Sequence, residues 1–437
     1  MITVTKFGGS SLADAGCIRK AAEIIRADRA RRYVVVSAPG KRFSTDEKIT
    51  DLLIRCQKLG VRKLDFSVPF RTLRERFLEI TAGLGLSLDL RPELDDLEEK
   101  LAVGVSLDYS ASRGEYFNAK ILAAYLGFPF LDAKEVVRFR KDGELDDEET
   151  LTVLSDALKK LPRAVIPGFY GATGDGEITV FSRGGSDITG SLVAEAAKAD
   201  LYENWTDVSG LLMADPRIVP DPRPIEVVTY RELRDLSYMG ASVLHEDAIY
   251  PVRRAKIPIN IRNTNLPQDP GTMIVEEAEK SDGIVTGVAG KKGIGAIHIE
   301  KEMMNNELGF GRRVLSVLED RGISFEHFPS GIDTMTVVVE KAYLLGRENE
   351  LIQAMQEAVH PDRIHLVEDL CLIAVVGRGM INSPGTAARL FSALAKEKIN
   401  IRMIDQGSSE LNIIVALDEK DYEKAIRAIY SAFESKK

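Results

Sequence analysis

Cysteine is scarce: Cys17, Cys56 and Cys371 are the only three in 437 residues, and no two form a CxxC pair. That spacing argues against a disulfide framework or a cysteine zinc site and fits free thiols in a reducing compartment. Positive charge is also short. The formal net charge is −9 and no basic stripe occurs, which argues against a nucleic-acid partner. The densest basic run, residues 26–32, falls at the end of an expected helix and reads as a solvated helix end. No apolar run reaches membrane length and no basic-then-apolar leader opens the chain. No membrane contact and a cytoplasmic location are therefore expected. What remains, 44% hydrophobic and 29% charged, is ordinary for a globular chain of two to four domains with a large core.

The first dozen residues organise the rest. Ile2 to Thr5 is a β-branched run that predicts a buried strand. It leads into Lys6, then Gly8, Gly9, Ser10 and Ser11, and a helical pattern begins near Asp14, a plausible N-cap. Strand, glycine turn and helix N-terminus make an anion site, because glycines let backbone N–H groups approach an oxyanion and the helix end adds positive potential. The turn is neither a Walker A loop nor a GxGxxG fingerprint. Tyr33 to Pro39 reads as a second strand buried on both faces, completing a βαβ unit, with Ser37 at its carboxyl end, where open α/β sheets bind ligands. Ile49-Thr50-Asp51 opens another helix.

Residues 57–108 are helical and charge-rich and read as an insertion on the sheet domain. Arg113 and Glu115 flank a glycine ahead of an expected helix at Ile121 to Leu126; a surface ion pair is the simplest account of them. Strands are expected at Phe128 to Leu131, Arg163 to Tyr170 and Ile178 to Phe181. A second glycine turn follows at Ser182-Arg183-Gly184-Gly185-Ser186-Asp187, with a helix at Val193 to Lys198. Two glycine–serine helix openings on one domain can hold the phosphates of a nucleotide and an anionic acceptor together. A strand ending in Thr206 and Asp207, helices at Tyr230 to Tyr238 and Ser242 to Ala255, and a strand at Ile257 to Arg262 complete the domain.

Lys6-Phe-Gly-Gly-Ser-Ser11, Ser110-Ala-Ser-Arg-Gly-Glu115, Ser182-Arg-Gly-Gly-Ser-Asp187, Trp205-Thr-Asp-Val208, Ala214-Asp-Pro-Arg217 and Gly240-Ala-Ser-Val-Leu-His245 follow one another in the order and spacing of aspartate kinases. The chain resembles that family over nearly its whole length. The resemblance implies ATP and Mg²⁺, L-aspartate as acceptor, and phosphorylation of its side-chain carboxylate, the first step of lysine, threonine and methionine biosynthesis. It implies catalytic roles for Lys6 and Asp187, and aspartate binding by Ser37, Thr50, Glu115 (ammonium) and Arg183 (α-carboxylate). Nucleotide contacts are implied for Gly8, Gly9, Ser10, Gly184, Gly185, Ser186, Thr206, Asp207, Arg217 and Ser242. Ser242 stands where many members carry lysine, and Leu212 where some carry tyrosine. No dedicated metal ligands are expected. Two alternatives stay open: another amino-acid-kinase relative, or an amino-acid sensor whose kinase domain has decayed.

From about Ile284 the pattern becomes two βαββα units about 75 residues apart. Each resembles an ACT module, a small-molecule regulatory fold. The expected architecture is α/β, a largely parallel sheet sandwiched by helices over residues 1–283, then two ferredoxin-like (βαββαβ) ACT domains at 293–370 and 371–437, the second completed by strand 284–289. The resemblance implies an effector, lysine or threonine or both, near Met304, Gly309, Phe310 and Gly311, with Phe325, Glu326 and Ser330 facing them. It also implies a homo-oligomer assembled through the ACT domains.

Overall fold

The computed structural model describes residues 1–182, 184–241, 244, 246–279 and 283–434. The chain divides into two compact units: residues 1–211, 224–230 and 243–278 form one, and 212–223, 231–242 and 279–437 the other.

The first unit is built on a seven-stranded sheet in the order Ala164–Pro167, Arg31–Val36, Thr3–Phe7, Leu201–Thr206, Ile259–Asn263, Thr272–Val275, Val227–Thr229. The first five strands are parallel, and Thr272–Val275 runs antiparallel to Ile259–Asn263. The two strands beyond Ile259–Asn263 are not among those the sequence pattern predicts. Every residue of Thr3–Phe7 is buried, as a strand covered on both faces requires. Its glycine turn passes through a short 3-10 helix, Gly9–Leu12, before helix Ala15–Ala27, where Asp14 Oδ1 accepts the Cys17 amide at 2.8 Å.

Helices Ser67–Gly83 and Arg91–Val103 occupy the inserted stretch, into which the end of helix Ile49–Val61 also runs. They are not a loose appendage. Phe70, Leu73, Phe77, Leu94 and Leu97 share one buried core with Phe7, Val34, Val36 and Phe117. Three local expectations are corrected. Arg113 and Glu115 lie within a single twenty-residue helix, Leu107–Leu126, rather than before a short one. The helix after the second glycine turn begins at Gly185, well before Val193. Phe128 to Leu131 contributes one bridge, Phe130 to Val165, instead of a strand.

The second unit holds a six-stranded antiparallel sheet in the order Phe325–His327, Thr334–Glu340, Gly287–Glu300, Arg363–Val376, Asn412–Asp418, Ile401–Asp405. Its two central strands are continuous, fourteen residues each, where the sequence pattern reads four separate pieces. Residues 287–291 pair with 372–376 and residues 294–300 with 363–370; the register shifts between them. At that shift Gly293 (φ 75°) and Asp369 (φ 55°) take left-handed backbone, which bends the ladder without ending it. Two cores result, one around Ile297, Phe310, Val337 and Leu351, the other around Ile373, Leu390, Val415 and Ile429. The helices Phe310–Glu319 and Thr386–Lys396 each open after a left-handed glycine, Gly309 and Gly385, which matches the internal repeat.

Candidate active site

Lys6 and Asn204 occupy paired positions on the adjacent parallel strands Thr3–Phe7 and Leu201–Thr206. Both are buried. They converge on one oxygen: Asp187 Oδ1 lies 2.6 Å from Lys6 Nζ and accepts Asn204 Nδ2 at 2.7 Å. Asp187 sits in the first turn of helix Gly185–Ala196, and Gly184 at its cap takes φ 59°, which favours glycine. The two glycine turns, 176 residues apart between Gly8 and Gly184 in the chain, are thus joined by a lysine–aspartate contact beside the carboxyl ends of the strands.

Close backbone approach explains the glycines. The Gly8 amide donates to the Trp205 carbonyl at 3.0 Å and the Gly40 amide to the Gly9 carbonyl at 2.8 Å. A Cβ on Gly9 would meet the Ala38 carbonyl oxygen at 2.9 Å, and one on Gly40 the Gly9 carbonyl carbon at 2.6 Å. Gly185 has the same role in the second turn, where a Cβ would strike Phe169 at 2.7 Å. Ser10 is exposed; Ser186 is buried against Gly168.

Glu115 is buried inside helix Leu107–Leu126, and its Oε2 has no hydrogen-bond partner. Burial pushes its carboxyl up to about 8, partly offset by the Ala38 amide. A carboxylate kept dry and short of a donor fits an incoming ammonium group. Gly114 lets this helix reach the end of strand Arg31–Val36, since a Cβ there would meet Ala38 Cβ at 2.7 Å. Asn118 Nδ2 donates to the Ser37 carbonyl at 2.7 Å, holding Ser37 beside the same helix. Thr50 is half-buried at the start of helix Ile49–Val61. Arg113 and Glu115 are not the surface pair that their spacing suggests. Arg113 is buried, with its guanidinium 4.7 Å from the Tyr109 ring centre, 4.5 Å from Tyr116 and 5.3 Å from Tyr170.

Thr206 and Asp207 end the Leu201–Thr206 strand, with Thr206 Oγ1 3.2 Å from Asp207 Oδ1. Arg217 belongs to the second unit, where it is exposed and pairs with Asp215 at 2.7 Å. Arg183, Ser242 and His245 lie outside the described residues. In the second unit Met304 and Phe310 are buried in a core, Gly309 caps the Phe310 helix, and Gly311 faces Phe328. Phe325 is partly exposed, Glu326 pairs with Lys291 at 2.6 Å, and Ser330 bridges to Met335. Sequence reasoning missed Asn204 and Asn118. The available signal was an amide residue inside an otherwise apolar strand or on the buried face of a helix, a position where polarity needs a partner.

Residues 1–263 match the amino acid kinase family and residues 373–433 the ACT domain. Aspartokinase 3 of Bacillus subtilis is 40% identical over 447 residues, spanning 98% of both chains. The crystal structure of Clostridium acetobutylicum aspartate kinase matches with a TM-score of 0.90 at 48% identity, covering 99% of this chain and 100% of that one. E. coli aspartokinase III, 25% identical, matches with a TM-score of 0.75 in complex with aspartate and ADP in its R-state, and 0.73 with lysine and aspartate in its T-state. These alignments cover 99% of this chain and 99% and 100% of the two E. coli chains. The chain belongs to the amino acid kinase family and, within it, to the aspartate kinases.

Proposed function

We propose that the enzyme transfers the γ-phosphate of ATP to the side-chain carboxylate of L-aspartate, giving 4-phospho-L-aspartate for lysine, threonine and methionine biosynthesis. The observation that carries this reading is the Lys6–Asp187 contact, which joins two glycine turns at one edge of the sheet. Phosphoryl transfer asks for positioning and charge neutralisation more than covalent chemistry. Lys6 supplies a buried cation where charge gathers on the transferring group, and Asp187 with Asn204 keeps its ammonium aimed. The turns of Gly8, Gly9 and Ser10 and of Gly184, Gly185 and Ser186 face the phosphates. Glu115 takes the aspartate ammonium, Arg183 its α-carboxylate, and Ser37 and Thr50 complete the acceptor side. The acceptor carboxylate is ionised at neutral pH, with a reference pKa of about 4, so the step needs no general base. Thr206, Asp207, Arg217 and Ser242 complete the nucleotide side. Mg²⁺, carried on the ATP phosphates, would neutralise their charge.

The ACT region supports feedback control, and E. coli aspartokinase III has been solved with lysine. We assign lysine, threonine or both as effector at the Met304–Ser330 group, and a homo-oligomer assembled through this region. Three free cysteines fit a cytoplasmic enzyme, and no helix among the described residues is long and apolar enough to cross a membrane. The test is ADP release with aspartate, glutamate or no acceptor, with and without lysine and threonine. Aspartate-dependent release that an effector lowers is expected. Release that is indifferent to aspartate, or equal with glutamate, overturns the reading.

A further inference from the structure

One guanidinium ties together the segments on either side of the proposed site. Arg76, on helix Ser67–Gly83, is 3% exposed. Its Nη2 donates to the Gly40 carbonyl at 2.7 Å and the Ala13 carbonyl at 3.3 Å; its Nη1 donates to the Glu47 carbonyl at 2.8 Å. Asp46 Oδ2 lies 3.4 Å from Nη1 and also takes the Arg42 amide and Nε, closing the loop between them. Ala13 follows the Gly9–Leu12 turn. Gly40 packs on Gly9, two residues beyond the Ala38 amide that offsets Glu115, and Glu47 precedes the helix bearing Thr50. The helix carrying Arg76 is itself seated on the helix that follows the turn: a Cβ on Gly83 would meet Ala15 Cβ at 2.8 Å, and the Gly83 carbonyl accepts Arg19 Nη1 at 2.7 Å.

The three carbonyls come from two segments, Ala13 from one and Gly40 and Glu47 from the other, so one side chain fixes their mutual placement. A buried cation must have acceptors, and here, beside the Asp46 carboxylate, they are three main-chain oxygens, which hold backbone position. We propose that Arg76 is a positioning residue for phosphoryl transfer, holding the acceptor loop 37–50 in fixed registration against the phosphate turn 8–13. The inserted helices then belong to the catalytic apparatus through this contact. The proposal rests on the function assigned above, in which these two segments face the acceptor and the phosphates.

The test compares Arg76→Met, which keeps bulk but no donors, with Arg76→Lys, which keeps charge and one donor group. Arg74→Met serves as a control: Arg74 is on the same helix but pairs with Asp95 and Glu98. Misplacement of about 1 Å costs up to ~10²-fold in rate. Arg76→Met is expected to raise the aspartate KM at least about tenfold and lower kcat, with Arg76→Lys intermediate. Arg74→Met should shift melting without moving the aspartate KM. Hydrogen exchange reads the same clamp without turnover. The Gly40 and Asp46 amides, bonded to the Gly9 and Phe43 carbonyls, should exchange faster in Arg76→Met, while those of Val34 and Val35 stay protected. If Arg76→Met does not fold, Arg76→Lys is judged by the same readouts. A folded variant with lowered melting temperature, aspartate KM within twofold of wild type and unchanged loop exchange makes Arg76 structural only and sinks the proposal. A wild-type enzyme without aspartate-dependent ADP release defeats the function reading instead, and leaves the exchange result to decide the clamp.

Discussion

Glu115 carries the clearest pH signature at the residue scale. Its carboxyl stands at about 8 against an ordinary 4.5. Below 4.5 it is protonated in folded and unfolded chains alike, and burial costs nothing. Between 4.5 and 8 the unfolded chain ionises while the folded one keeps its proton, so stability falls as pH rises, by at most ~1.4 kcal/mol per unit. Above 8 the loss is complete. Thermal melts of wild type and Glu115→Gln at pH 5 and pH 8.5 should therefore show the gap moving several degrees in favour of the variant at the higher pH. A gap that does not move refutes this account. In the proposed complex, the aspartate ammonium supplies the donor that Oε2 lacks and draws the pKa back down. Aspartate binding at pH 7 should then release a proton, seen as a buffer-dependent heat in calorimetry. Arg113, two residues away, shows the limit of reading such pairs from spacing: both residues are buried, and the arginine donates to Ser112 Oγ among the rings of Tyr109, Tyr116 and the distant Tyr170.

The glycine turns are the element whose geometry is most exacting. Gly40→Ala would place a Cβ 2.6 Å from Gly9 carbonyl carbon and force the turn at Gly9 away from the loop at Gly40. We expect a loss of ~1–3 kcal/mol in stability together with a fall in kcat of at least about tenfold. Gly174→Ala, where a Cβ meets nothing within 4 Å, should be silent in both melting and kinetics. Equal effects at the two positions would show that the close approach is not what the turn depends on. The strand–turn–helix order of this element was legible in the sequence because β-branched runs, paired glycines and Asp14 mark its boundaries locally. The start of helix Gly185–Ala196 was not. It opens on glycine and serine, poor helix formers, and is capped by left-handed backbone at Gly184 instead of a side chain. Arg76 and Asn204 were hidden for another reason: their partners are 29 to 63 and 17 residues away, so a polar residue in an apolar stretch says that a partner is needed but not which one.

At the scale of the whole molecule, the two units are interleaved in sequence. Segment 212–223 gives Met213, Ala214, Ile218 and Val219 to the core that also holds Ile373, Val415 and Tyr430, and the Val288 amide donates to the Met213 carbonyl at 2.7 Å. A chain ended at residue 370 keeps Arg363 to Leu370 but loses residues 371–376 of the same strand, along with Asn412–Asp418 and Ile401–Asp405. It should be poorly soluble and lack a cooperative transition for the ACT region in calorimetry. A monodisperse product with that transition intact would mean that the halves are separable. The tandem repeat was readable from its periodicity, but the merging of four short strands into two long ones was not, because register is a property of the assembled sheet.

Those shared strands also govern how the region is made. Pairing Gly287 with Val376 closes a loop of about 90 residues, an entropic cost met only after both ends exist. A chain emerging from the ribosome therefore carries Gly287–Lys291 without its partner until residues 372–376 have been made, whereas Ile294–Glu300 can already pair with Thr334–Glu340. Such a strand is a template for its counterpart in a neighbouring nascent chain, and exchange between copies is the natural error. Gly290-Lys291-Lys292-Gly293 interrupts Gly287–Glu300 at the midpoint with two positive charges and two glycines. Gly293, which bends the finished sheet, and the two lysines before it should act as gatekeepers against that exchange while the region is unfinished.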